Sequence, residues 1–159
     1  MLRYLVRSDM ADILDIERAS FPCPWTNDDF KLALKQHNVI GYVLEIDELV
    51  VGFMIVESYR HGRRIQSIAV RPDYRRAGLA RMMVEKVKSR LLDNDRLHEV
   101  VTEVRESNLA AQLLFRACGF RCVETLPDNY GEHGVTEDGY VFAIRKTRSE
   151  CGEREAVVV

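Results

Sequence analysis

The sequence predicts an α/β (α+β) fold: a single mixed, mostly antiparallel, twisted sheet flanked by helices. Three observations predict it. Strand-like runs at Val39 to Ile46, Leu49 to Tyr59 and Ile65 to Val70 are separated only by turn signals at Asp47-Glu48 and His61-Gly62, which reads as an antiparallel meander. From Ile65 onward strand and helix patterns alternate, which asks for a parallel, right-handed crossover between two strands. A chain of 159 residues, 47% apolar and 30% charged, buries one substantial core and makes one domain, or one domain and a tail.

Each element has its own signal. Ser8 and Asp9 cap a helix whose apolar positions include Ile13, Leu14 and Ile16, and Pro22 and Pro24 lie beyond its end. Thr26 caps a second helix, with Asp29 as the acid of a shortened capping box and Phe30, Ala33 and Leu34 on one face. After the meander, Arg71-Pro72-Asp73 breaks the chain. A long helix then runs from Gly78 to Leu92 with Leu79, Met82, Met83, Val87 and Leu91 on one face. Glu99 to Val104 is β-branched and strand-like. Asn108 to Cys118 is a helix, with Gly119 where a C-terminal cap belongs. Phe120 to Leu126 and Tyr140 to Lys146 read as strands joined by a loop, Pro127 to Gly139. Residues 147–159 are polar with an apolar end and are expected to be a disordered tail, so the folded domain is expected to be 1–146.

Composition excludes several classes of function. The longest near-continuous apolar stretch, Leu49 to Val56, falls far short of the roughly 20 residues of a membrane span. The first seven residues lack the apolar segment and cleavage site of a signal peptide, so neither membrane nor export is expected. Cys23, Cys118, Cys122 and Cys151 form no CxxC pair and no Cys/His cluster at zinc spacing. They read as reduced thiols in a cytoplasmic protein that holds no metal. A net charge of −2 argues against a generally basic nucleic-acid binder. The charge is uneven, however: Glu57 to Arg105 carries 12 Lys and Arg against 7 Asp and Glu, and the remainder 11 against 18. A basic middle in an acidic chain suggests a local anionic ligand.

The sharpest local feature is Arg71-Pro72-Asp73-Tyr74-Arg75-Arg76-Ala77-Gly78-Leu79-Ala80, set between a strand ending Ile68-Ala69-Val70 and a helix. Small residues at Gly78 and Ala80 let backbone amides approach an anion, the helix N-terminus adds partial positive charge, and Arg75 and Arg76 add full charges. That is the physics of a pyrophosphate cradle. It is neither a Walker A loop nor a GxGxxG turn.

Arg75-Arg76-Ala77-Gly78-Leu79-Ala80 resembles the Gln/Arg-x-x-Gly-x-Gly/Ala signature of the GNAT acetyltransferase superfamily. Five further segments resemble the branch of that family that acetylates protein N-termini, the RimI-type enzymes. They are Phe21-Pro22-Cys23-Pro24-Trp25, Ile68 to Tyr74, Glu103 to Asn108, Leu114 to Phe120, and Leu126 to Tyr130. Order and spacing match from Leu5 to Arg145, nearly the whole chain. The resemblance implies a GNAT fold. It also implies an acetyl-CoA-dependent N-acetyltransferase that moves acetyl to a protein's N-terminal α-amino group by direct attack in a ternary complex. The N-terminal alanine of a small-subunit ribosomal protein is the implied acceptor. By position, Ile68, Ala69 and Val70 would offer backbone groups to the acetyl-pantetheine arm, as an added strand does. Arg75, Arg76, Ala77, Gly78, Leu79 and Ala80 would hold the pyrophosphate, Asn108 the pantetheine, and Glu103 would be the general base. Trp25 and Tyr130 would line the acceptor groove. No metal is implied, no direct nucleic-acid or membrane contact, and a monomer or weak dimer is expected.

One position departs from the family: Phe115 stands where the general acid, a tyrosine, belongs. A thiolate whose acid has a pKa near a cysteine's roughly 8.5 leaves without full protonation, so the expectation is a slower or acid-independent enzyme, with water or Tyr130 as remaining donors. Glu103 would serve best with its pKa raised in a low-dielectric setting, or through a bridging water. Near pH 7.4 roughly a third of an α-amino group is neutral, against roughly one part in a thousand of a lysine, so a weakly assisted site favours the former. The acids Glu132, Glu137 and Asp138 could attract a cationic peptide. Cys118 reads as core, and His37, His61, His98 and His133 are too scattered to assign. Two other readings stay open: an acetyltransferase of small amines or metabolites on the same fold, and a non-catalytic acetyl-CoA-binding module.

Overall fold

The computed structural model describes residues 1–92, 96–132 and 134–146. The tail expected at 147–159, with Cys151, and His133 lie outside the described residues. Seven strands form one sheet: β1 (Leu2–Tyr4), β2 (Val39–Ile46), β3 (Leu49–Tyr59), β4 (Gly62–Val70), β5 (Glu99–Arg105), β6 (Arg121–Glu132) and β7 (Val135–Arg145). Their order across the sheet is β1-β2-β3-β4-β5-β7-β6, and every pair is antiparallel except β4 with β5. The helices are α1 (Met10–Arg18), α2 (Asn27–Leu34), α3 (Leu79–Leu92) and α4 (Leu109–Ala117), with single 3-10 turns at Arg7–Asp9 and Pro72–Tyr74.

The sheet is covered on both faces where it is most apolar. Every residue of β3 from Val50 to Val56 is buried, which is why that stretch reads as a continuous apolar run. On one face, Met83, Val84, Val87 and Leu91 of α3 and Phe115 of α4 pack against Met54, Val56, Val100, Val104 and Phe142. On the other, Ile13 and Ile16 of α1 and Phe30 of α2 pack against Val43, Phe53 and Ile55. Trp25, Phe30 and Phe53 form a chain of edge-to-face rings, with centroids 5.2 and 5.6 Å apart. Thr26 caps α2 as the sequence indicates, taking the Asp29 amide while the Asp29 carboxylate takes the Thr26 amide at 2.7 Å.

The structure corrects three expectations. Met82 is exposed and Val84 takes its place in the core, so the buried face of α3 is rotated from the one inferred. The expected Pro127 to Gly139 loop is instead a hairpin in which β6 and β7 pair as far as Glu132 and Val135. A register shift between Leu126 and Tyr130 absorbs Pro127, which has no N–H to give the ladder, and Asp128, whose φ is +51°. Finally, Leu2–Tyr4 forms an edge strand on β2, too short to leave a sequence pattern.

That edge strand is tied down by charge. Arg3 donates to both carboxylate oxygens of Asp9, at 2.8 and 2.9 Å, and to Glu45 at 2.8 Å, and Asp9 also accepts the Val6 amide at 2.8 Å. The Arg3 hydrogen bonds hold the Asp9 carboxyl below its ordinary pKa. A carboxylate depressed in the folded state adds stability above its unfolded pKa of about 3.9 and loses it as pH falls through the lower folded value. Arg3→Met is therefore expected to cost roughly 1–3 kcal/mol near neutral pH. Urea titrations should show that deficit shrinking below about pH 4.

Candidate functional site

The site begins where two strands part. β4 and β5 pair from Gly62↔Glu99 only as far as Ile65↔Thr102, although β4 continues to Val70 and β5 to Arg105. A bulge coincides with the parting: Ile55 of β3 faces Ser67 while Val56 faces Ile65, so Gln66 is an extra residue on β4. Bulges bend the strand that carries them and strengthen its twist. The buried Thr102 hydroxyl donates to the Ile65 carbonyl at 3.0 Å and closes the last shared rung. Beyond it, β4 keeps β3 as a partner and β5 keeps β7, leaving the two facing edges open. Two cavities of about 460 and 230 Å³ occupy the opening and share Phe21, Ile68, Asn108 and Ala111.

The larger cavity is formed by the segment expected to cradle an anion. Ile68, Ala69, Val70, Arg75, Arg76, Gly78, Leu79 and Ala80 line it, with Asn108 opposite, whereas Ala77 is exposed and does not. The loop reverses through left-handed conformations at Arg76 (φ +63°) and Gly78 (φ +77°). A side chain added at Gly78 would meet no atom within 4 Å, so φ and not space selects glycine there. The Met82 amide donates to the Gly78 carbonyl, so the amides of Leu79, Ala80 and Arg81 in the turn before it have no intrahelical acceptor. Arg75 acts as a brace: its Nε donates to the Val70 carbonyl at 2.9 Å and its Nη2 to Ser20 Oγ at 2.9 Å. Both acceptors are neutral, so its charge still bears on the cradle.

The smaller cavity collects the residues expected to act on an acceptor. Glu103, Trp25, Asn108, Tyr130 and Phe115 all line it. The Glu103 side chain is 36% exposed, with Arg64 Nη1 3.6 Å away, so the low-dielectric setting expected for it is absent. Open to solvent on that side, it suits proton transfer through water. Asn108 caps α4, its Oδ1 accepting the Ala111 amide at 3.1 Å, which leaves Nδ2 as the donor available to a ligand. Trp25 serves packing and site together, one face of its ring against Phe30 and its residue in the cavity wall. The Arg105 guanidinium lies 4.4 Å from the centre of the Tyr130 ring and pairs with Glu137 at 2.9 Å. Burial, with Glu103 nearby, pushes the Tyr130 hydroxyl above its ordinary pKa. Glu137 is thus paired with Arg105 and its charge is met there, whereas Asp138 accepts the neutral Asp128 amide at 3.0 Å and keeps its charge. The Glu132 side chain lies outside the described residues. Phe115 is fully buried edge-to-face on Phe120, and Cys118 belongs to the core beside it. Among the described residues no cluster of His, Cys, Asp and Glu could hold a metal ion.

Sequence reasoning missed Glu17. It is 2% exposed in the wall of the smaller cavity, accepting the Trp25 amide at 2.9 Å and the Ser67 hydroxyl at 3.4 Å. A signal existed: Glu17 sits four residues after Ile13, in line with the buried stripe of α1. Gln66 and Arg64, also missed, carried none, because the bulge that places them is set by a partner strand.

The acetyltransferase (GNAT) family model matches residues 10–120. The N-alpha-acetyltransferase of Saccharolobus solfataricus is 27% identical over 89% of this chain and 90% of its own length. The [ribosomal protein bS18]-alanine N-acetyltransferase of Salmonella typhimurium is 29% identical over 88% and 93%. Among solved structures, the ribosomal-protein-S18-alanine N-acetyltransferase of Escherichia coli superposes with a TM-score of 0.84 at 23% identity, covering 100% of this chain and 99% of that one. Arabidopsis thaliana NAA60 in complex with a bisubstrate analogue gives 0.79 at 21%, covering 91% and 97%.

Burial pushes the Glu17 carboxyl above its ordinary pKa, only partly offset by the Trp25 and Ser67 hydrogen bonds. The folded state then binds more protons than the unfolded one, and stability falls as pH rises through that window. Glu17→Gln keeps an acceptor for the Trp25 amide and removes the buried charge. It is expected to raise Tm at pH 7–8 relative to the wild type and to change it little near pH 4, as calorimetry at the two pH values would show.

Proposed function

This chain belongs to the acetyltransferase (GNAT) family, and from that premise we propose that it transfers acetyl from acetyl-CoA to the N-terminal α-amino group of a protein. The observation that carries the reading is the parted β4–β5 edge, which joins an anion cradle to a cavity walled by Glu103, Trp25 and Tyr130. Acetyl-CoA supplies an acyl group already activated as a thioester. Toward it, the free edge at Ile68, Ala69 and Val70 offers strand-like hydrogen bonds to an extended arm. The amides of Leu79 and Ala80, with Arg76, meet the pyrophosphate, Arg75 braces their loop, and Ala77 completes the turn. Asn108 Nδ2 donates to the pantetheine. These residues fit the group: the cradle presents donors and cations, and the space beside Gly78 is open.

In the acceptor cavity, Glu103 takes the amine proton through a water on its exposed side. Holding amine and thioester together supplies much of the rate of a direct transfer. An α-amino group suits this half-exposed base better than a lysine, because far more of it is neutral near pH 7. Phe115 cannot donate a proton, and the thiolate leaves without one from that position. Relatives named for N-alpha and bS18-alanine acetylation support an N-terminal acceptor, and we take the N-terminal alanine of a ribosomal protein as the leading candidate. The whole site is built within 1–146 of one chain, which suits a monomer or weak dimer acting in the cytoplasm. Among the described residues no helix is long and apolar enough to cross a membrane.

The test follows CoA release with acetyl-CoA and short peptides beginning Ala, Ser or Met, plus an N-blocked lysine peptide, with the acetylated atom located by mass spectrometry. Acetyl should appear on the α-amino group. Glu103→Gln should lower kcat by about 10²–10⁴-fold with the KM for acetyl-CoA nearly unchanged. Acetyl on lysine alone, or no turnover at all, would sink the reading.

Phe115→Tyr addresses the vacant acid separately. If the thiolate departs unaided, kcat stays within a few-fold of wild type. A rise of tenfold or more would show that protonation limits the step.

A further inference from the structure

The wall of the acceptor cavity contains a buried polar atom with no hydrogen-bond partner among the described residues. Gln66, the extra residue of the β3–β4 bulge, lines that cavity with Glu103, Trp25 and Tyr130. Its amide orientation is fixed chemically. Glu57 lies 3.1 Å from one end of the amide, and a carboxylate only accepts, so the atom facing it is Nε2. The oxygen is left at the other end, buried, and accepts no hydrogen bond from any described residue. A buried acceptor without a donor is costly, and folded proteins rarely keep one without a use.

Three neighbouring polar groups of the wall are already committed. Glu17 accepts from Trp25 and Ser67, Thr102 donates to Ile65, and Asn108 Oδ1 caps α4. Gln66 Oε1 is out of reach of bulk water. A donor to it has to come from a group that enters the cavity Gln66 lines, which is what an incoming chain terminus does in the proposed reaction. Gln66 is too far from the phosphate cradle to serve it, since it lines only the acceptor cavity.

We propose that Gln66 determines acceptor specificity by taking, at Oε1, a hydrogen bond from a donor carried at the start of the acceptor chain. That donor is either the peptide N–H of the second residue or a side-chain hydroxyl on the first. The proposal rests on the N-terminal reading given above. A site built to receive a donor discriminates against acceptors that lack one, because its own polar group is then left unpaired.

Trp25 is the only tryptophan and stands in the same wall, so its fluorescence reports acceptor binding without turnover when CoA replaces acetyl-CoA. Peptides beginning Ala-Gly, Ser-Gly and Ala-Pro are titrated into the wild type and Gln66→Met, which keeps length and removes the acceptor. The variant is expected to bind Ala-Gly, Ser-Gly or both about 3–10-fold more weakly, with the KM for acetyl-CoA unchanged and Tm not lowered. Equal losses for Ala-Gly and Ser-Gly, with wild type already weak for Ala-Pro, identify the peptide N–H. A loss confined to Ser-Gly identifies the hydroxyl. Equal affinities in both proteins for every peptide overturn the proposal, as does a lowered Tm together with a raised KM for acetyl-CoA, the mark of a structural role. Failure of the N-terminal reading shows elsewhere, as wild-type protein that binds these peptides and never acetylates their α-amino groups.

Discussion

The molecule depends on two parallel strands that stop pairing while still running side by side. Backbone amides and carbonyls are obligatory hydrogen-bonding groups, and a sheet interior is an unusual place to leave them open. β4 and β5 do so after the Ile65↔Thr102 rung. Each remains secured on its outer side, β4 to β3 and β5 to β7, so the opening costs the sheet only its shared middle. Both cavities of the proposed site face that opening. The cradle forms where β4 runs out into the Arg75 to Ala80 loop, and the acceptor cavity forms where Glu103 and Gln66 lose their neighbours.

Packing holds the gap at a fixed width. The double-sided burial of β3 makes it the rigid member, and β4 hangs from it. On one side of the sheet Ala111 and Phe115 of α4 stand against the gap, and on the other Glu17 of α1 lies beside it and accepts the Ser67 hydroxyl of β4. The Trp25 loop is pinned to the same Glu17 carboxylate. One buried acid therefore fixes the acceptor loop and the free strand relative to each other, a task for which an apolar side chain of equal size offers no hydrogen bond.

What could be read from the residues divides along a physical line. Local signals carried well. Thr26 with Asp29, Asn108 and Gly119 announce helix ends, and β2 and β3 begin and end where the sequence pattern says. Long-range signals did not. β1 pairs with β2 and is tied by Arg3 to Glu45, 42 residues further along the chain. The β6–β7 hairpin hides behind Pro127, Asn129 and Gly131, residues that spell a loop until a bulge accommodates them. Met82 and Val84 flank Met83 on opposite sides of α3, about 160° apart, and only the sheet beneath decides which of the two is buried. Glu103 and Tyr130 were found through resemblance, whereas their ties to Arg64 and Arg105 required coordinates.

The added residue at position 66 also inverts the parity of its strand. Before it, Ile65 faces the α3 and α4 side; after it, Ile68 and Val70 face that side while Ser67 and Ala69 face α1. In an unbroken strand, residues 65, 67 and 69 would share one face. Counting from either end thus assigns the other end's side chains to the wrong layer, and one strand serves two hydrophobic layers with opposite phases. Substitutions in β4 act on one face at a time, but a single-residue deletion anywhere in its second half would exchange both faces at once. In this protein the length of that strand sets both of its faces, as no single side chain does, and insertions that surface hairpins absorb freely have no counterpart there.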